Sequence, residues 1–298
     1  MSGVIETAGL TKRYGRRTAL DDCTLSIPAG HVVGLVGPNG AGKTTLLQLA
    51  VGLIRPTAGT VTVLGDRPGA GPKQLARVGF VAQDAPVYGS LTVADHLKLG
   101  AKLNPGWDAA FAAGRIDDIG LDPKQRAGRL SGGERAQLAL TLAVGKRPDL
   151  LVLDEPVASL DPLARRDFLQ DLMAFTAETG TSVILSSHLI ADLERVCDYL
   201  VLLTSAHVQL ADEVDELLAS HWRLTGPRQD TDGVPPGCQI VYESHTDRQS
   251  TYFVRCSVPV DHPGRAAEPL SLEDLVLAYL STSRGARPAR RLVREVTR

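Results

Sequence analysis

Cysteine is scarce in this chain of 298 residues, and the four that occur form no Cys-x-x-Cys pair. They stand at Cys23, Cys197, Cys238 and Cys256. Their scattered spacing argues against a structural zinc site and provides no disulfide framework. We therefore predict four reduced, partly buried thiols.

Long apolar runs and a strong excess of one charge are also missing. No stretch approaches the roughly 18 uninterrupted apolar residues of a membrane span, and the first residues lack the layout of a signal peptide. Lysine and arginine number 32 against 34 acidic residues, so the net charge of −2 provides no general attraction for nucleic acid. We expect a soluble, cytoplasmic protein that binds neither DNA nor RNA.

Strand-like and helix-like segments alternate from about residue 4 to residue 203, which predicts an α/β fold with a mainly parallel sheet. The clearest strands are 32–36, 78–82, 150–153 and 183–186. Polar residues that follow such strands lie at the carboxyl edge of the sheet, where open α/β folds bind ligands. Residues from about 84 to 145 are mainly helical in pattern, and we interpret them as a helical subdomain insertion.

The composition changes after residue 203, which indicates a second, smaller domain. A helical pattern covers 211–222, and a stretch rich in Gly, Pro and Asp covers 226–237. We therefore place a large domain at 1–205, a helix and linker at 206–237, and a small α+β domain at 238–298.

The small domain has two β-like segments, 238–243 and 251–258, and a helical pattern from Ser271 onward. Ser271 can cap this helix, and Leu270 and Leu275 are spaced for a hydrophobic staple. We expect the helix to pack on its own small sheet; the alternative is a helix that binds a partner. The arginine-rich tail, 284–298, is either a solvated end or a segment attracted to anionic membrane.

A glycine-rich loop follows the predicted strand 32–36. It reads Gly37, Pro38, Asn39, Gly40, Ala41, Gly42, Lys43, Thr44 and Thr45, and a helical pattern follows. Glycines let successive N–H groups converge on a phosphate, and the helix start adds positive partial charge. Lys43 can reach the β- and γ-phosphates, and the Thr44 hydroxyl is an oxygen ligand for Mg²⁺. The loop predicts a nucleoside triphosphatase without saying which kind.

Two further clusters narrow the class. Asp154 and Glu155 follow the apolar run 150–153, so Asp154 is placed to hold the Mg²⁺ shell and Glu155 to accept a proton from attacking water. Ser131, Gly132 and Gly133 precede a helix and form a second, unrelated anion cradle. One triphosphate does not need two cradles from the same chain.

Together these residues resemble the ATP-binding cassette (ABC) superfamily, specifically the nucleotide-binding subunit of an ABC transporter. The resemblance covers about residues 4–205, where seven motifs occur in the family's order. They are Tyr14 (adenine stacking), Gly37–Thr45 (Walker A), Gln83 (Q-loop), Leu130–Glu134 (signature), Asp154 with Glu155 (Walker B), Ser159–Asp161 (D-loop) and His188 (switch histidine).

The resemblance implies a P-loop cassette fold and an ATPase with ATP and Mg²⁺ as cofactors. It implies catalytic roles for Glu155, His188 and Gln83, and a metal site of Thr44, Gln83 and Asp154. ATP would be held by Tyr14, the Gly37–Thr45 loop, Ser131, Gly132, Gly133 and Asp161.

In this family two cassettes pack head-to-tail, and the signature motif of one closes over ATP held by the other. The resemblance therefore implies a homodimer driven together by ATP, although a heterodimer with a degenerate partner stays open. Two departures from the family pattern are small: Glu134 replaces the commoner Gln, and Val157 stands where Thr often follows Glu-Pro. Neither removes a catalytic group.

Because the chain has one cassette and no membrane span, a transport function would need separate membrane subunits. The chain would then lie at the cytoplasmic face of the membrane. Segments 103–108, 122–133 and 272–275 resemble bacterial exporters of drugs and antibiotics. The C-terminal domain is shorter than the β-barrel extension of sugar importers, which weakens an import interpretation. The alternative is a soluble ABC ATPase with a non-transport role, such as cluster assembly.

Overall fold

The computed structural model describes residues 3–228, 234–256 and 264–283. In chain order the strands are β1 (Ile5–Tyr14), β2 (Arg17–Ile27), β3 (Val32–Val36), β4 (Ala58–Val63), β5 (Val78–Val81), β6 (Leu150–Asp154), β7 (Ser182–Ser186), β8 (Tyr199–Thr204), β9 (His207–Glu213), β10 (His221–Pro227), β11 (Gln239–His245), β12 (Gln249–Arg255) and β13 (Ala266–Pro269). The helices are α1 (Lys43–Ala50), α2 (Pro72–Arg77), α3 (Val93–Leu103), α4 (Ala109–Asp118), α5 (Gly132–Val144), α6 (Pro162–Thr179), α7 (Ile190–Leu193), α8 (Val214–Ser220) and α9 (Leu272–Ser283), with a 3₁₀ turn at Ala127–Arg129.

The central sheet has six strands in the order β5-β6-β7-β3-β8-β9. All neighbours are parallel except β8 and β9, which confirms the predicted α/β fold with a mainly parallel sheet. Every residue of β3, β6 and β7 is buried, as expected for strands covered on both faces. Because β7 lies between β3 and β6, the loops that follow these three strands meet at one edge of the sheet.

Two further layers cover this sheet. The strands β2, β1 and β4 form an antiparallel sheet whose core side chains include Ile5, Leu10 and Leu25. The helices α3, α4 and α5 lie within the predicted insertion and share a small apolar cluster of their own, centred on Ile116 and Leu138. A capping box of Thr92 and Asp95 begins α3.

The region after residue 205 differs from the prediction. Strand β9 extends the central sheet to Glu213, past the predicted boundary, because residues 207–213 pair with β8. The predicted helix 211–222 is shorter in the structure, where α8 covers only Val214–Ser220, because the residues at its two ends belong to β9 and β10. Strand β10 then occupies the start of the predicted linker and pairs with β12 and β13, so the small sheet begins at His221.

The C-terminal sheet is antiparallel in the order β11-β12-β10-β13, and α9 packs on it through β11. The expectation that this helix packs on its own small sheet is therefore confirmed, but the helix also contacts α7, α8 and β8. Leu272, Leu275 and Val276 of α9 are buried in the core of the central sheet. Apolar burial therefore joins α9 to the large domain.

A buried hydrogen-bonded chain accompanies this contact. The ring of His221 lies within 2.7 Å of the Leu217 carbonyl through Nδ1 and within 3.0 Å of the Tyr279 hydroxyl through Nε2. Burial, together with the nearby charge of Arg255, lowers the pKa of His221 to about 4. The neutral imidazole therefore donates to Leu217 and accepts from Tyr279, tying α8 and β10 to α9.

The prediction of four reduced cysteines is wrong. Cys238 and Cys256 form a disulfide, because the pairing of β11 with β12 brings the residues before and after these strands side by side. Cys23 and Cys197 form no disulfide and are buried. Residue 258 and the arginine-rich tail, 284–298, lie outside the described residues.

Candidate active site

A cleft of about 670 Å³ opens at the carboxyl edge of the central sheet. Its walls come from the turn between β1 and β2, the loop after β3, and the segments after β5, β6 and β7. The lining residues are Tyr14, Arg17, Ala19, Pro38, Asn39, Gly40, Gly42, Lys43, Thr44, Thr45, Gln83, Glu155, Ala158 and His188. Most of the nucleotide-site residues predicted from the sequence therefore meet in one cleft.

The glycine-rich loop holds a buried cation at its inner end. Lys43 is the first residue of α1 and only 5% exposed, and its Nζ donates to the Gly37 carbonyl at 2.7 Å. Gly42 has a φ of 110°, and a Cβ there would lie 2.4 Å from the Ala19 carbonyl oxygen. Only glycine fits this position, so the loop can fold closely over the start of the helix. The ammonium and the helix N-terminus together form a surface that can accept an anion such as phosphate.

Glu155 lies next to this cation and is bonded through both carboxylate oxygens. Its Oε1 lies 3.4 Å from Lys43 Nζ, and its Oε2 lies 3.0 Å from His188 Nδ1. The backbone of Glu155 is left-handed, with a φ of 46°, a conformation that non-glycine residues rarely adopt. Three residues from three separate loops are thus linked through one carboxylate. The arrangement couples the phosphate-binding cation to a candidate general base.

Asp154 is the last residue of β6 and only 2% exposed. Its Oδ1 accepts a hydrogen bond of 2.7 Å from the hydroxyl of Ser186, the last residue of β7. The backbone N–H of Glu155 donates to the same hydroxyl at 2.8 Å. Sequence reasoning missed Ser186, because only the register of β6 against β7 reveals that it stands beside Asp154.

Tyr14 and Gln83 both line the cleft. Tyr14 ends β1 and is 47% exposed, and the Lys12 ammonium lies 5.1 Å from its ring centroid. Its exposed face is open to an aromatic ligand. Gln83 follows β5 and is also exposed, so its amide can reach a ligand in the cleft.

Arg17 is a cleft residue that sequence reasoning missed. Its Nη2 lies 3.0 Å from the point where Gly40 would carry a Cβ, so the guanidinium lies over the phosphate loop. The hairpin of β1 and β2 pairs Arg17 with Tyr14, which places both at the same end of the cleft. The sequence did contain a signal for Arg17, because an arginine directly follows the short turn after Tyr14.

Ser131, Gly132 and Gly133 do not line this cleft. Ser131 caps α5 in a capping box: its Oγ accepts from the Glu134 N–H at 3.2 Å, and Glu134 accepts from the Ser131 N–H at 2.7 Å. Among the described residues, the N–H groups of Gly132 and Gly133 have no acceptor. This second cradle therefore presents unpaired donors and an exposed serine to its surroundings.

Asp161 also lies outside the cleft and caps a helix. Its Oδ1 accepts hydrogen bonds from the N–H groups of Leu163 and Ala164 at 3.0 and 3.1 Å, which begins α6. A Cβ on Gly133 would lie 3.1 Å from Ala164 Cβ, so α5 and α6 begin against each other. The predicted D-loop and signature residues consequently share one surface.

The candidate metal ligands provide only oxygen donors. Thr44 and Gln83 contribute a hydroxyl and an amide to the cleft, whereas the Asp154 carboxylate does not line it and lies buried directly before Glu155, which does. Within the described ranges no group of three or more His, Cys, Asp or Glu side chains could hold a metal. Hard oxygen donors suit Mg²⁺, which keeps several waters and takes further ligands from nucleotide phosphates. The residues present fit that ion.

None of the helices in the described part of the chain combines the length and the apolarity that crossing a membrane requires.

Comparisons with known proteins identify the relatives of this chain. A family model described as ABC transporter matches residues 20–158. The chain is 32% identical over 220 residues to the bacitracin transport ATP-binding protein BcrA of Enterococcus faecalis, which covers 73% of this chain and 71% of that protein. It is 35% identical over 237 residues to the methionine import ATP-binding protein MetN of Streptomyces griseus, covering 73% and 66% respectively. A solved structure of an ATP-binding subunit of an ABC transporter matches with a TM-score of 0.65 and 26% identity, over 72% of this chain and 91% of that one.

Proposed function

The chain belongs to the ATP-binding proteins of ABC transporters and is an ATPase, and we propose that hydrolysis in its cleft energises separate membrane subunits that export a drug-like or antibiotic compound. The observation that carries the proposal is the Lys43–Glu155–His188 cluster at the base of a nucleotide-sized cleft. These are the groups that phosphoryl transfer to water requires: a cation for the phosphate, a base for the water and a donor beside them.

We propose the following order of events in the cleft. Adenine stacks on Tyr14, and the triphosphate binds along the Gly37–Thr45 loop. Lys43 then contacts phosphate oxygens and releases Oε1 of Glu155, which becomes free to accept a proton from water. His188 stays close to Glu155 through Oε2 and keeps that carboxylate oriented.

Mg²⁺ would be held by oxygen atoms of Thr44 and Gln83, which line the cleft, and of Asp154, the buried residue directly before Glu155. When bound, the ion neutralises charge that develops on the transferring phosphoryl group. The protein's own contribution is to hold the Asp154 carboxylate in one orientation.

The second anion cradle supports a dimer in which two chains share each nucleotide. The unpaired N–H groups of Gly132 and Gly133 lie outside the chain's own cleft, so a phosphate that binds them must be held elsewhere. We propose that a second copy of the chain holds it, in a two-fold arrangement where each Ser131 closes over the partner's ATP. ATP then stabilises the closed dimer, and hydrolysis reopens it.

Export, an antibiotic-like cargo and a position at the cytoplasmic face of the membrane are the finer parts of this proposal. The similarity to a bacitracin transport protein supports them. The similarity to a methionine import protein favours the second candidate, an importer ATPase. The ATPase cycle itself is the same in both.

A Glu155→Gln variant tests the assignment of the general base. Glutamine keeps the volume of the side chain but cannot accept the proton, so we expect hydrolysis to fall about 100- to 10,000-fold while ATP still binds. Size-exclusion chromatography with ATP should then show a dimer that the wild-type chain forms only transiently. Glu178→Gln, which changes a surface partner of Arg147, is the matched control and should hydrolyse ATP at the wild-type rate. Wild-type hydrolysis by Glu155→Gln would refute the assignment.

Transport direction needs the complete transporter. The membrane protein that co-purifies with this chain should be reconstituted with it in vesicles whose ATP-binding subunits face outward. Export in the cell corresponds to ATP-driven accumulation of labelled bacitracin inside these vesicles. ATP-driven loss of preloaded methionine instead would support the importer candidate.

A further inference from the structure

Ser186 is a fully buried residue of the catalytic edge that none of the family motifs includes. We propose that Ser186 is a positioning residue whose single hydroxyl orients both acidic residues of the site, the Asp154 carboxylate and the Glu155 backbone. The inference rests on the proposed function, because it assumes that Asp154 serves the metal and Glu155 serves the water.

The sheet places Ser186 between the two phosphate-handling loops. On one side it stands opposite Asp154 of β6, and on the other it stands opposite Leu35 of β3, two residues before Gly37. Both neighbouring strands are parallel to β7, so β3, β6 and β7 all end at the same edge of the sheet and continue in the same direction. The Ser186 side chain can therefore contact Asp154 and Glu155 directly.

The hydroxyl is used in both of its hydrogen-bonding roles. Its proton is donated to Asp154 Oδ1 at 2.7 Å, and its lone pair accepts the Glu155 N–H at 2.8 Å. A hydroxyl has one proton, so this pair of bonds defines its orientation completely. The bond to Asp154 occupies one carboxylate oxygen and selects one rotamer of that side chain. Its other oxygen is left for a different ligand.

The second bond stabilises an unfavourable backbone conformation. Glu155 is left-handed, which brings its side chain back toward Lys43 and His188 instead of letting it follow the strand direction. A non-glycine residue holds this conformation only when its surroundings enforce it. The hydrogen bond from the Glu155 N–H to Ser186 is one such restraint. It acts on the residue whose carboxylate we assign to the attacking water.

The neighbouring hydroxyl cannot take over this role. Ser187 is bonded to its own loop, since its Oγ accepts from the Leu189 N–H at 3.0 Å. The strand offers a matched control at its other end. Ser182 is also buried, and its Oγ accepts the Gly30 N–H at 2.9 Å, far from the acidic pair along β7.

The experiment compares Ser186→Ala, Ser186→Thr and Ser182→Ala with the wild-type full-length chain. ATP affinity is measured in EDTA and across a Mg²⁺ titration. The hydrolysis rate is measured as a function of Mg²⁺, which gives the half-maximal Mg²⁺ concentration and kcat at saturation. The melting temperature is measured as well. Ser186→Ala and Ser182→Ala each delete one buried hydroxyl and leave one backbone N–H without its acceptor, and Ser186→Ala also leaves Asp154 Oδ1 without its donor. Their melting temperatures therefore report the structural cost separately from the catalytic one.

For Ser186→Ala we expect ATP affinity in EDTA to stay within about twofold of wild type, because the phosphate loop is unchanged. The Mg²⁺ concentration for half-maximal effect should rise, and kcat should fall, each by about 10-fold or more, the usual effect of removing an outer-shell partner of a metal ligand. Ser186→Thr keeps the hydroxyl and should recover both values to within about threefold. Ser182→Ala should also lower the melting temperature, by no more than Ser186→Ala does, but keep wild-type Mg²⁺ dependence and kcat.

Wild-type Mg²⁺ dependence and kcat in Ser186→Ala would overturn the inference, and so would an equal loss in Ser186→Thr when both variants are folded. An equal loss in Ser182→Ala would show that any buried hydroxyl of β7 has this effect, and would also overturn it. If the wild-type chain fails to hydrolyse ATP, the proposed function fails instead. The Mg²⁺ titration of ATP binding then still decides the role of Ser186.

Discussion

The two anion cradles of this chain differ in what surrounds them. The Gly37–Thr45 loop opens into a cleft of about 670 Å³, with a buried lysine and a carboxylate that bonds it. The Ser131–Gly133 turn begins a helix outside that cleft, and its capping box contains the negative Glu134 carboxylate. The first cradle has the cation and the carboxylate that we propose act on a triphosphate. The second has only N–H donors and a hydroxyl.

Because the two cradles differ in this way, a single chain can use only one of them without a partner. The first cradle can bind a nucleotide without help, because its positive charge and its walls belong to the same chain. The second cradle lies beside an acidic group and lacks a positive side chain in its capping box, so it contributes only when another surface delivers the phosphate. We therefore assign nucleotide binding to the first cradle and dimer assembly to the second.

The largest expected effect is on the first cradle. Lys43→Ala removes a charge-assisted contact to the phosphates and leaves Glu155 without its cationic partner, so ATP affinity of the isolated chain should fall about 100-fold or more. Equilibrium binding of ATP measures it.

Lys146→Ala is the control for this prediction. The Lys146 ammonium also donates to a backbone carbonyl, that of Leu75 at 2.8 Å, but lies outside the cleft. Its ATP affinity should equal that of wild type. Unchanged affinity in Lys43→Ala would mean that the two cradles do not differ in the way described.

Arg17→Ala should have a smaller effect on the same cradle. Arg17 lies over Gly40 but is exposed, and an exposed ionic contact contributes up to about 1 kcal/mol, or roughly fivefold in affinity. We expect ATP binding to weaken about two- to fivefold at low salt, and Arg17→Lys to restore most of it. Arg16→Ala, at the neighbouring position outside the cleft, should bind ATP normally. Equal losses in both variants would point to general charge and not to a contact made by Arg17.

Glu134→Gln should give the smallest effect, and one of opposite sign. Glutamine can still accept the Ser131 N–H, but the negative charge beside the second cradle disappears. Charges at a helix N-terminus contribute about 0.3–1 kcal/mol, so ATP-driven dimers of the Glu155→Gln chain should form about two- to fivefold more tightly. Analytical ultracentrifugation with ATP measures this.

Asp95→Asn changes the matching capping box of α3 and serves as its control. It should leave dimerisation unchanged while costing similar stability. Tighter assembly in both variants, or in neither, would contradict a specific role for the charge of Glu134.

Sequence reasoning found the fold and most of the cleft, because these depend on local patterns. The glycine-rich loop, the apolar run before Asp154 and the polar residues after β7 are each readable within a few neighbouring residues. Parallel strands then bring them to one edge of the sheet without further information. The roles assigned to the individual residues of these motifs stay predictions, which the variants above address.

What sequence reasoning missed depends on pairing between distant segments. Ser186 looks like an ordinary strand residue until the register sets it beside Asp154. The disulfide of Cys238 and Cys256 becomes visible only when β11 pairs with β12. Strand β10 was hidden because its glycine and proline have the composition of a linker, although residues 221–227 pair along their whole length with β12.

The most direct test of the account mixes two defective chains, both carrying Glu155→Gln to prevent hydrolysis. One chain carries Lys43→Ala and keeps an intact second cradle. The other carries Ser131→Arg and keeps an intact first cradle, and Thr92→Ala provides a control for the loss of a helix cap elsewhere.

Light scattering with size exclusion in the presence of ATP measures the mass of each sample. The account predicts monomers for either defective chain alone and a dimer with one bound ATP for the mixture, because only the mixed pair completes one shared site. A dimer formed by the Ser131→Arg chain alone, or a mixture that stays monomeric, would contradict it.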